Sequence, residues 1–135
     1  MFAAVPLMII PLILYNLVMI GFFGGGGIAA LSATVFSVSM LSGAIWSLTL
    51  ADVLVIVALL LLFIEILKAT SNASGSLLNH MLSMLVFIGF LVEFLLVRDA
   101  ATQIFFILML IALIDVVAGF SISIRSASRD VSIGL

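Results

Sequence analysis

The sequence predicts a small all-α membrane protein: a four-transmembrane-helix antiparallel bundle with a short extracytoplasmic β-hairpin between its first two helices. Three observations predict it. The 135 residues are 67% hydrophobic and 7% charged, with mean hydropathy +1.62, whereas a soluble domain carries roughly a quarter charged residues. Four apolar stretches, about 2–22, 49–69, 77–97 and 101–124, are long enough to cross a hydrocarbon core of about 30 Å at about 1.5 Å per residue. Between the first two, a pair of period-two runs flanks a short glycine-containing turn. One integral membrane domain, 1–135, is the natural count.

The first stretch is apolar apart from Tyr15 and Asn16. It has no basic leading region, and its apolar run exceeds that of a typical signal peptide, so it reads as a retained span. Pro6 suits a first helical turn, while Pro11 must kink the helix or mark a later start. Asn16 reads as packing glue between helices. Gly24 to Gly27 then break the helix. Their spacing does not match a phosphate-binding loop.

Over 34–48, Val35-Phe36-Ser37-Val38-Ser39-Met40 and Ile45-Trp46-Ser47-Leu48-Thr49-Leu50 alternate around Ser42-Gly43-Ala44. A β-hairpin follows, with a re-entrant or interfacial helix from Ile28 to Met40 as the alternative. An open hairpin leaves peptide groups unpaired and cannot face lipid within the core. It is therefore expected at the membrane surface, with Trp46 in the interfacial zone. Phe36 and Trp46 are its candidate interaction surface.

Thr49-Leu50-Ala51-Asp52 has the form of a capping box opening the second span, and Asp52 also suits the positive end of the helix dipole. Thr70 to Ser76 is a polar turn, and the sequon Asn72-Ala73-Ser74 is discounted there because this side is expected to be cytoplasmic. The third span carries Asn79, His80, Ser83 and Glu93. Arg98-Asp99-Ala100 makes a tight connection. The fourth span has Thr102 and Gln103 at its mouth and Asp115 inside, and Arg125 to Leu135 reads as a short polar tail. With four spans, Lys68, Arg125 and Arg129 share one side and Arg98 lies on the other. That bias puts both termini in the cytoplasm, and loops this short favour antiparallel neighbours in sequence order.

Ionisable groups inside a span are expensive and are functional candidates by default. Glu65 lies about 24 Å beyond Thr49 and Asp115 about 21 Å beyond Ala101, so they share a depth. His80, near the start of its span, lies just below, and Lys68 shares the face of Glu65. A Glu65–Asp115–His80–Lys68 cluster is thus an expected intramembrane polar group, with Glu93 and Arg98 as an ion pair at the opposite end. Snorkelling side chains are the plainer account of Glu65 with Lys68 and of Glu93 with Arg98. Asp115 is the hardest to explain structurally, because no basic residue lies within four positions. Ala51, Ala58 and Glu65 mark one face of the second helix. Ala112, Asp115, Gly119 and Ser123 mark one face of the fourth. Small residues allow close approach, so these faces are expected to meet.

Composition excludes several classes. Without cysteine there is no disulfide or thiolate site. One histidine gives no histidine-rich metal centre, and four basic residues give no nucleic-acid footprint. No catalytic motif or cofactor loop appears. The segments VPLMIIPLILYNLVM, LTLADVLVIVALLLLFIEILKAT and ALIDVVAGFSISIR resemble small four-helix bacterial inner-membrane proteins of no assigned activity. That resemblance implies a multi-pass protein acting in an assembly, with no catalytic residues to carry over. An outer β segment between the first two helices is also similar to the claudin layout, in topology alone, because the expected cysteine pair is missing. The expected function is a structural or interaction protein, as a homo-oligomer or a subunit of a membrane complex. The alternative is a small proton- or cation-coupled transport element using Glu65, Asp115 and Glu93.

Overall fold

The computed structural model describes residues 5–24, 26–71 and 76–134. It is mostly helical, with one two-stranded antiparallel sheet. In chain order it comprises α1 (Ile9–Met19), a 3-10 helix (Gly27–Ser32), β1 (Thr34–Ser39), β2 (Ile45–Thr49), α2 (Leu50–Ser71), α3 (Ser76–Leu96), a 3-10 turn (Arg98–Ala100) and α4 (Gln103–Gly134). Among the described residues three helices are long and apolar enough to cross a membrane, over Leu50–Thr70, Leu78–Leu96 and Gln103–Ser121. The hairpin and the Arg98–Ala100 turn mark one end of the molecule. The end of α2 and the start of α3 mark the other, and the sequon Asn72-Ala73-Ser74 lies outside the described residues.

The first span is where the structure departs most from the sequence pattern. Instead of a helix over 2–22, α1 has 11 residues, about half of what a bilayer crossing needs. Both of its ends have local causes. Pro11 falls in the first turn, where its missing N–H has no carbonyl to meet, so it marks a late start rather than a kink. The stop comes before the glycine run. Gly21, at φ +85°, bonds its N–H to the Val18 carbonyl at 3.1 Å, and Phe22 bonds to that of Leu17 at 3.0 Å. This is the paired-bond ending that a left-handed glycine gives a helix.

The hairpin forms as expected, and of the alternative helix over 28–40 only the 3-10 turn to Ser32 appears. Its register pairs Phe36 with Leu48, Ser37 with Ser47, Val38 with Trp46 and Ser39 with Ile45, with an irregularity between Thr34 and Phe36. One face is therefore apolar, and on the other the Ser37 and Ser47 hydroxyls meet at 3.1 Å. Leu50 donates to the Ala33 carbonyl at 3.0 Å and closes the base. Strand β2 runs straight into α2 through the predicted capping box. Asp52 Oδ2 accepts from the Thr49 N–H at 3.0 Å, and Thr49 Oγ1 accepts from the Asp52 N–H at 3.3 Å. The reciprocal pair satisfies backbone donors that a helix start leaves open.

Helix α4 is the centre of the packing: α2 and α3 each lie chiefly against α4 rather than against one another. The consecutive helices α3 and α4 are thus spatial neighbours, whereas the consecutive helices α2 and α3 barely touch. The small-residue faces explain why. Ala51 and Ala58 of α2 and Ala112 of α4 are buried, so close approach to α4 is available along α2. Towards the hairpin end, Phe105 of α4 is fully buried with its ring centroid 4.9 Å from Tyr15 and 5.3 Å from Phe90. This knot fixes α1 and α3 to α4. At its other end α4 does not stop near 124. It continues as helix to Gly134, 32 residues in all, so the expected polar tail is helical. The stretch from Arg125 to Ile133 contains neither proline nor glycine to end it.

A buried polar cluster between three helices

Glu65, Asn79, His80, Ser83 and Asp115 are all buried. They come from α2, α3 and α4 and gather towards the end opposite the hairpin. The spacing on α3 explains its share: Asn79 and Ser83 are one turn apart and His80 lies between them, so all three fall on or near one helical face. The expected grouping of Glu65, Lys68, His80 and Asp115 is therefore present as geometry, and Asn79 and Ser83 join it.

Glu65 is engaged on both oxygens. Its Oε1 accepts from the Leu7 backbone N–H at 2.8 Å and from Lys68 Nζ at 3.1 Å. Its Oε2 accepts from Asn79 Nδ2 at 3.3 Å. Lys68 Nζ also donates to the Val5 carbonyl at 3.0 Å. The side chain of Lys68 is 21% exposed and that of Glu65 only 1%. The lysine thus reaches outward while the carboxylate stays inside. Together they clamp the irregular segment Val5–Leu7 that precedes α1. A short helix starting within a bundle leaves backbone N–H groups without water to bind, and a carboxylate there supplies both an acceptor and a favourable charge. Glu65 is thereby more than a snorkelling partner: it holds the beginning of α1.

Asp115 is placed differently. It faces the Ser83 hydroxyl and lies within electrostatic reach of Glu65 and Lys68; His80 is within reach of Glu65. Three buried oxygens have no hydrogen-bond partner among the described residues: Asn79 Oδ1, Ser83 Oγ and Asp115 Oδ2. Such atoms cost about 1–3 kcal/mol each when left unpaired. The His80 ring lies directly over Gly119, where a Cβ would stand 2.6 Å from Nδ1 and Cε1, and 5.5 Å from the Phe120 ring. Gly119→Ala is accordingly expected to cost about 1–3 kcal/mol by overpacking. In a His80→Ala background the same change is expected to cost little, a coupling that thermal melts of the four proteins in a double-mutant cycle will measure.

At the hairpin end the expected Glu93–Arg98 ion pair does not form. Glu93 Oε2 instead accepts from Asn16 Nδ2 at 3.0 Å, and the same amide donates to the Leu12 carbonyl at 2.8 Å. A donor on the facing helix competes better than an exposed arginine at the start of the next turn. Tyr15 donates to the Asp99 carbonyl at 2.8 Å, and its hydroxyl lies 2.7 Å from that of Thr102. Thr102 in turn caps α4 by accepting from the Phe105 N–H at 3.2 Å. Phe36 and Trp46 lie edge to face at 6.1 Å on the outer hairpin and remain exposed.

Asn79, Ser83 and Tyr15 were not among the expected cluster or pair residues. The signal for the first two was their shared face with His80 in an otherwise apolar span. Among the described residues no three His, Asp or Glu side chains converge as metal ligands. Comparison with protein families, with curated proteins and with solved structures finds no match for this chain.

Proposed function

We propose that the chain is a multi-pass membrane protein that associates with further copies of itself through its hairpin, as a structural unit of a membrane assembly. The observation that supports this reading is the exposure of the hairpin. Every residue of β1 is exposed, and Phe36, Val38 and Trp46 share one face without helical cover. Both strand edges are also open. An open edge beside an apolar face is a template for pairing. A two-fold arrangement of identical hairpins buries the same surface on each partner. In this reading α1 with its flanking turns fills the fourth position of the bundle. In the same reading both termini lie in the cytoplasm of a bacterial inner membrane and the hairpin faces outward, an orientation supported by the shared side of Lys68, Arg125 and Arg129. The mass of the protein in mild detergent tests it. An oligomer that falls to monomer in Phe36→Ser/Trp46→Ser is the expected result, and a strictly monomeric wild type sinks the proposal.

One observation favours a second reading. The unpaired oxygens around Asp115 suit a small proton- or cation-coupled transport element. Of its three expected carboxylates, Glu65 and Asp115 belong to the cluster and Glu93 is engaged by Asn16 at the other end. Asp115→Asn is then expected to abolish ion flux into proteoliposomes, and absence of flux in the unmodified protein, across several ions, ends that reading.

A further inference from the structure

We propose that Asn79, Ser83 and Asp115, with Glu65 beside them, form a binding site for one desolvated alkali cation between α2, α3 and α4. The inference deepens the transport reading by naming the ligand and its oxygens, and it is tested by binding so that it can fail or survive apart from transport.

The three oxygens that lack partners are an amide carbonyl, a hydroxyl and a carboxylate oxygen, and each residue is at least nine-tenths buried. All three are hard donors, the kind that replaces the hydration shell of a hard cation. The Asn79 amide nitrogen is committed to Glu65, which leaves its carbonyl oxygen as the end available to a cation. Ser83 stands one turn along the same face and is the hydroxyl that Asp115 faces. A cation among these atoms satisfies at once three groups that otherwise remain unpaired.

Charge narrows the class of ion. The groups facing Asp115 are Glu65 and Lys68 from α2 and Ser83 from α3, with His80 close to Glu65. Two carboxylates and one ammonium leave a single negative charge. One monovalent cation neutralises it, whereas a divalent ion would leave a net positive charge next to Lys68. Magnesium also gives up its waters reluctantly, so a buried site of few protein oxygens suits it poorly. The close contact of α3 with α4 at Gly119 favours an ion without its water shell.

The test uses the full chain in lipid nanodiscs at one fixed alkaline pH and constant ionic strength, with choline chloride replaced stepwise by sodium or potassium chloride. A saturable rise in melting temperature of roughly 5 °C in at least one alkali series is expected, with equilibrium binding of radioactive sodium or its potassium analogue rubidium reaching about one ion per chain. Asp115→Asn and Ser83→Ala are each expected to move the midpoint at least tenfold to higher concentration. Ser83→Ala removes only a hydroxyl and keeps the test open where Asp115→Asn fails to fold. Identical melts in choline and alkali salts overturn the proposal. So do a response to pH with none to alkali ions, and an unchanged midpoint in Ser83→Ala. Binding without flux supports the site and removes the transport reading, whereas loss of both removes both.

Discussion

Glu65→Ala is expected to destabilise the protein by about 3 kcal/mol, near the lower end of the range for breaking a buried ion pair. Three donors lose their acceptor at once: the Leu7 N–H, Lys68 Nζ and Asn79 Nδ2. The lysine contributes least to the loss. Its side chain is partly exposed and can swing outward while keeping the Val5 carbonyl. The buried amide and backbone groups have no such exit. Thermal melts followed by far-ultraviolet circular dichroism should show a fall of roughly 10 °C. Glu65→Gln retains acceptor capacity at lower charge and should fall by less. A second readout separates local from global loss. The chain has no cysteine, so Val5→Cys provides a single label site. In the Glu65→Ala background its reaction with maleimide should quicken well below the melting temperature, because the clamp on Val5–Leu7 is gone. An unchanged melt together with unchanged labelling would show that Glu65 does not hold α1.

Phe105→Ala is expected to cost about 3–5 kcal/mol, the usual range for emptying a buried phenylalanine site. Lipid alters the argument without reversing it. Apolar burial gains little when the alternative solvent is also apolar, so the loss here is mainly one of packing contacts. Phe105 has many to lose. Its ring meets Tyr15, Phe90 and Phe94, and these belong to α1 and α3. Phe105→Leu keeps most of the volume and should cost under about 1.5 kcal/mol. The ratio of the two melts checks the packing account. Equal losses would point instead to the aromatic geometry itself.

Local signals in the sequence were legible in the structure. Thr49 and Asp52 stand at capping-box spacing, and their hydrogen bonds run both ways. Alternation around Ser42-Gly43-Ala44 produced the expected hairpin. Glu65 and Lys68, three apart, pair. The alanines at 51 and 58 of α2 are buried, and α2 packs on α4. What the sequence concealed depended on contacts across the bundle. Glu93 has an arginine five residues on, yet Asn16, 77 residues away, takes its carboxylate. Asn79 and Ser83 stand in an apolar run, and their place in the cluster depends on Glu65 and Asp115 of other helices. The shortness of α1 was a matter of competing local cues. Pro11 allowed either a kink or a late start, and Gly21 ends the helix while the more conspicuous glycines follow it. Likewise, a short connection brings α2 and α3 into adjacent crossings but does not decide which side α4 enters.

The central position of α4 has a consequence for biogenesis. Synthesis runs from the N-terminus, so α1, α2 and α3 emerge before the helix that organises them. In the two-stage view, helices insert independently and then associate. Until α4 arrives, α2 and α3 have no principal partner, and the polar face of Asn79, His80 and Ser83 must wait against lipid, translocon or chaperone. Nascent chains arrested between residues 96 and 103 should therefore be captured by insertion factors and proteases, and release should coincide with α4 entering the membrane. On this order of synthesis, the arrival of α4 is the step expected to release α1, α2 and α3 from quality control.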